Sequence, residues 1–107
     1  MTTTKSDIRA IALDILLDTT NPPKQKVNLD LAIASELARK AGQPKRGDAL
    51  SGNEWLMFDE VFWDLIMDRI ITPGMDMANS GLPWFRLHSE ARQNAKRAEQ
   101  VQKQSGH

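Results

Sequence analysis

Cysteine is absent from the chain of 107 residues, and so is tyrosine. Without cysteine there is no disulfide, no thiolate zinc site, no iron–sulfur cluster and no cysteine nucleophile. Histidine is scarce as well: only His88 and His107 occur. No apolar run exceeds four residues, so a transmembrane helix is excluded. The opening Met1–Asp7 leads into an apolar stretch broken by Arg9 and Asp14, which does not read as a signal peptide. Neither sign of charge dominates, since 14 basic residues face 14 acidic ones. The length suits one domain over 1–107, with flexible ends expected at 1–5 and 103–107. These absences define a cytoplasmic, metal-free and cofactor-free domain as the expectation.

What is present is mainly helical. Ile8, Ile11, Ala12, Ile15 and Leu16 recur at helical spacing. Ser6 is the expected N-cap of this first helix, and Pro22-Pro23 prevents its continuation. A short basic connector follows. The second helix is expected from Leu29 to Ala41, capped by Asn28 and stopped by Gly42. A loop over 43–50 carries Pro44, Gly47 and the pair Lys45-Arg46. Ser51 and Glu54 match a capping box, opening the most hydrophobic element, expected over Gly52–Ile71. Pro73-Gly74 and Asn79-Ser80-Gly81 are turn signals. Trp84–His88 reads as a strand, with Phe85 and Leu87 on one face and Trp84, Arg86 and His88 on the other. Ile70–Thr72 is the expected pairing strand. Ser89 is the expected cap of a last polar helix, from about Glu90 to Gln102.

Trp63-Asp64-Leu65-Ile66, then Asp68-Arg69-Ile70-Ile71-Thr72-Pro73-Gly74, Asp76, Asn79, Leu82-Pro83-Trp84-Phe85-Arg86-Leu87 and Ser89 form a pattern. It resembles the wing signature of bacterial winged helix-turn-helix domains. The resemblance implies a mainly α, α+β fold: a three-helix winged helix with a two-stranded β wing and a C-terminal helix. Gly52–Ile71 would be the third helix, and Met75–Pro83 the wing tip. It also implies a small DNA-binding or regulatory protein, bacterial or phage in type.

The charge pattern bears on that implication. Residues 51–76 carry six acids against one base, Arg69, while 1–50 and 77–107 carry a modest basic excess. Glu60, Asp64 and Asp68 fall at i, i+4 and i+8, one stripe of the third helix. Such a stripe repels phosphates, whereas a helix that reads the major groove carries Arg, Lys, Asn or Gln. The stripe is read either as a solvated face or as a site for a basic partner. The same helix is apolar around most of its circumference. Trp55, Phe58, Val61, Phe62, Leu65 and Ile66 form one broad face, and Leu56, Trp63 and Met67 a flanking patch. Leu56, Trp63 and Met67 with Glu60, Asp64 and Asp68 are therefore the candidate partner or homodimer surface. Asp59 lies within the apolar arc and needs a cationic or backbone partner.

The candidate nucleic-acid contacts are Lys24, Lys26, Lys45, Arg46, Trp84, Arg86, His88, Arg92, Lys96 and Arg97. Arginine beside an aromatic on a wing suits phosphate and sugar contacts. Duplex DNA bound with weak sequence specificity is the leading expectation for a partner, together with a homodimer. The alternative is a protein–protein adaptor or inhibitor that uses the acidic and apolar third helix. No catalytic constellation is visible. The stretch Gly42–Gly47 lacks the Gly-Lys-Ser/Thr end of a phosphate loop, and His88 alone reads as a surface or capping residue. An enzyme is not expected.

Overall fold

The computed structural model describes residues 3–18, 20–42, 49–50 and 52–105, with side chains as far as Gln100. Its elements run α1 (Lys5–Asp18), α2 (Lys26–Lys40), α3 (Gly52–Met67), β1 (Ile71–Pro73), β2 (Phe85–Leu87) and α4 (Ala91–Ser105). The fold is mainly α, an α+β arrangement of three helices, a small two-stranded β wing and a C-terminal helix. No helix among the described residues is long and apolar enough to cross a membrane.

α1 starts one residue before the expected cap. Thr4 caps it, not Ser6. The Asp7 N–H donates to Thr4 Oγ1 at 3.1 Å and the Thr4 N–H donates to Asp7 Oδ2 at 2.8 Å. This reciprocal pair satisfies two donors that a helix start otherwise leaves bare. Thr4 and Lys5 thus form the start of α1. At the other end, α4 continues to Ser105.

α2 begins at Lys26, three residues earlier than expected, and Asn28 lies inside its first turn. The reason is a long-range contact. Residues 24–26 run alongside the wing: the Lys26 N–H donates to Pro83 O at 3.0 Å and the Phe85 N–H to Lys24 O at 2.8 Å. Gln25 and Trp84 form an antiparallel bridge. The helix stops where Gly42 turns left-handed at φ 71°. Asp30, buried in its second turn, accepts the Leu50 N–H at 2.7 Å and so fixes the approach to α3. Ser51 lies outside the described residues, as do Lys45 and Arg46.

α3 ends at Met67, four residues short of the expected Ile71. Arg69 takes a left-handed conformation at φ 58°. The Ile70 N–H reaches back to Leu65 O at 2.9 Å and the Arg69 N–H to Ile66 O at 3.1 Å, a Schellman ending. Leu65 and Ile70 are both fully buried across this turn. The apolar pair Ile70-Ile71 extends the hydrophobic pattern of the helix but belongs to the turn and to β1.

The wing pairs Ile71 with Leu87, Thr72 with Arg86 and Pro73 with Phe85. Each strand is displaced inward or shortened relative to expectation, and the expected alternation holds: Phe85 is buried and Arg86 exposed. The wing tip is closed by its own polar groups. Asp76 Oδ1 accepts the Asn79 N–H at 2.8 Å, and Asn79 O accepts the Met75 N–H at 2.7 Å. Arg86 donates to Pro73 O and Gly74 O at 3.2 and 2.8 Å. At the start of α4 the side-chain acceptor is His88, not Ser89: His88 Nδ1 accepts the Glu90 N–H at 3.0 Å.

One buried cluster draws on every helix and both strands. Phe58, Phe62 and Phe85 lie at its centre, with ring centroids 6.1 and 5.6 Å apart along the series. Each such fully buried side chain contributes roughly 1.5–3 kcal/mol of transfer free energy, so α3 is held chiefly by this face.

Candidate interaction surface on the third helix

Helical periodicity divides α3 into four sides. The inner side, Phe58, Val61, Phe62 and Leu65, is the core. The second side carries the acidic stripe and faces α1. Lys5 Nζ lies 3.5 Å from Glu60 and 3.0 Å from Asp64, and Arg9 Nη2 lies 2.8 Å from Asp68. The bases sit at i and i+4 on α1, matching the spacing of the acids. The hydrogen bond to Asp64 raises the Lys5 pKa, against the opposing effect of partial desolvation. Exposed ion pairs contribute about 0–1 kcal/mol each, so the seam sets the axial position of the two helices more than their stability. Only the half-buried Arg9–Asp68 pair has the geometry to do more.

The third side meets the wing and the start of α2. Here Lys26 bonds to Asp59, the carboxylate that needed a partner. Its ammonium group also lies 5.4 Å from the Trp55 ring centroid and 5.1 Å from that of Phe62. Cations over aromatic faces gain about 0.5–2 kcal/mol, more as water is excluded.

The fourth side faces outward. It presents Leu56, Trp63 and Met67, which are 56%, 48% and 78% exposed, and Glu60, the edge of the acidic stripe, borders it. No Lys or Arg lies within α3. Isolated exposed apolar residues are ordinary, but three of this size on one helix face form a contiguous stripe. The tip of the wing is similar in composition: Met77 is almost fully exposed, Leu82 partly so, and Met75–Pro83 holds no base.

The candidate nucleic-acid residues fall into groups: Lys24 and Lys26 lie on the run beside Trp84 of the wing, and Arg92 and Lys96 line one groove against α1. Lys26 is enclosed by Trp55, Phe62 and Asp59, as described. Arg86 holds the wing backbone. Arg92 donates to Leu17 O and lies 3.8 Å from Asp18, tying α4 to the end of α1. His88 caps α4, and Trp84 is half-buried beside Gln25. Lys24, Lys96 and Arg97 are exposed and have no ion-pair partner among the described residues. Lys45 and Arg46 are not described.

Sequence reasoning missed Lys5, Arg9 and Asp30. For the first two a signal existed, since two bases four apart on α1 complement acids four apart on α3. Asp30 carried none, because its partner is a backbone N–H twenty residues away. Among the described residues, no cluster of His, Asp or Glu is arranged to hold a metal ion. Comparison of the chain with protein-family models, with curated proteins and with solved structures gave no match.

Proposed function

We propose that the chain is a non-enzymatic, regulatory winged-helix protein that acts through protein contacts made by the outward side of α3. The wing signature of the sequence supports the scaffold, as does the order of three helices, hairpin and final helix. The observation that carries the function is the outward stripe of Leu56, Trp63 and Met67 with Glu60. In a winged helix this is the surface offered to the major groove. Here it offers apolar groups and a carboxylate where a duplex presents phosphates and base edges. Burial of such a stripe against another protein has a favourable transfer free energy; its approach to DNA does not.

A mobility-shift series with duplex DNA tests this reading. The expected result is no shift at low salt, and none in Met67→Glu. A shift that falls with salt and disappears in Met67→Glu would overturn it. A second reading is favoured by the exposed Lys24, Lys96 and Arg97: weak phosphate contact away from α3. That reading expects a shift insensitive to Met67→Glu, with a slope of log K against log salt near roughly −3 for three phosphates.

A further inference from the structure

Leu56, Glu60, Trp63 and Met67 are spaced by four, three and four residues, the spacing of alternating d and a positions of a heptad seam. The order is also symmetric about its midpoint. Two copies of α3 laid antiparallel in that register place Leu56 opposite Met67 of the other copy, and Glu60 opposite Trp63. We propose that the occupant of the outward side of α3 is a second copy of this chain, paired antiparallel about a two-fold axis in this register. The proposal rests on the reading of α3 as a protein-contact surface and names the partner.

The match of the Glu60 carboxylate to the Trp63 indole N–H, an acceptor and a donor that each copy offers the other, selects both occupant and direction. A parallel pair would set Glu60 against Glu60, a like-charge contact in the middle of the seam. The antiparallel register sets each carboxylate against an indole N–H, a donor that lacks an acceptor among the described residues. The neighbouring acids oppose the approach less than their number suggests, because Lys5 and Arg9 offset two of the three charges of Glu60, Asp64 and Asp68 within each copy. The seam also satisfies the rule for closed symmetric pairs: each residue meets a different residue, and the contact repeats once. The four residues span only about 16 Å of helix axis, so the association is of the weak class.

The absence of native cysteine makes the test direct. In Leu56→Cys/Met67→Cys the two thiols lie about 16 Å apart within one helix, too far for an internal disulfide. Across the proposed interface they meet. Mild oxidation should convert the double variant to a covalent dimer that reductant reverses, while neither single variant cross-links to comparable yield. Wild-type sedimentation velocity over rising concentration should show a reversible monomer–dimer equilibrium, shifted to monomer at least tenfold by Trp63→Glu. Equal cross-linking of either single variant would overturn the register. A wild type that stays monomeric at every concentration, with no cross-link in the double variant, would overturn self-pairing altogether. If the chain then also fails to shift DNA, α3 remains a surface for a different protein; if it shifts DNA through Met67, both readings fall.

Discussion

Replacing Gly74 by alanine should damage the wing far more than its single added methyl suggests. Gly74 sits at φ 93°, where an L side chain is strained. A Cβ there would lie 2.5 Å from Ser80 O and 2.7 Å from Ser80 C, both backbone atoms. Ser80 cannot easily retreat. The preceding residue, Asn79, accepts the Met75 N–H and is held by Asp76, while the Gly74 N–H donates to Trp84 O at 2.7 Å. The left-handed backbone costs about 1–2 kcal/mol for a residue with a Cβ. The forced backbone shift adds about 1–3 kcal/mol, as overpacking does. At a total of about 3 kcal/mol, a domain of this size loses roughly 12–24 °C of Tm. Gly81 provides the control, because a Cβ there meets nothing within 4 Å. Thermal unfolding followed by circular dichroism compares the two. If Gly74→Ala melted within about 2 °C of Gly81→Ala, the account of the wing tip as a rigid, side-chain-closed loop would be wrong, since ordinary exposed substitutions change stability by only about 0.5 kcal/mol.

Arg69 presents the opposite case. Glycine at its left-handed position should stabilise the chain by about 0.5 kcal/mol after the added freedom of the unfolded state is counted, a gain of roughly 2–4 °C in Tm. A loss would show that the Arg69 side chain has a structural role. Acid should loosen the start of α1. The Thr4 N–H and hydroxyl hold the Asp7 carboxyl below its ordinary pKa. A depressed folded value means that its contribution is present above the unfolded pKa and is lost as pH falls through the folded one. The Thr4 and Asp7 amide signals should therefore move in a low-pH NMR titration, and Asp7→Asn should remove that response. An identical titration in the variant would refute the capping assignment.

Local chemistry was legible where it acts over a few residues. The inner side of α3, the stop at Gly42, the alternation of Phe85 and Arg86 and the turn at Pro73-Gly74 all follow from spacing and turn residues. The end of α3 was not legible. Helices that close left-handed usually declare it with glycine, and here arginine occupies that position, followed by two isoleucines that mimic further helix. The start of α2 was hidden for a different reason: its first residues are positioned by Pro83 and Phe85, almost sixty residues away. The candidate surface on α3 was half legible. Periodicity identified Leu56, Trp63 and Met67 as one patch and Glu60, Asp64 and Asp68 as one stripe. It could not show that α1 already engages the stripe, because the match between Lys5/Arg9 and the acids depends on how two helices lie side by side.

The strand-like run at 24–26 has a consequence for how the chain comes apart. Lys26 is joined to the wing through its backbone and to α3 through its side chain, so the first turn of α2, the hairpin and the third helix share one residue. Closing the loop from this run to Pro83 has an entropic cost that grows only logarithmically with length. Once closed, it leaves no seam along which the N-terminal helices could separate from the wing. A chain ending anywhere between α3 and Leu82 would lose the backbone acceptor that begins α2 and the Phe85 ring that covers Phe62. The three helices are thus not a free-standing core with a hairpin appended; the hairpin is the piece that finishes them.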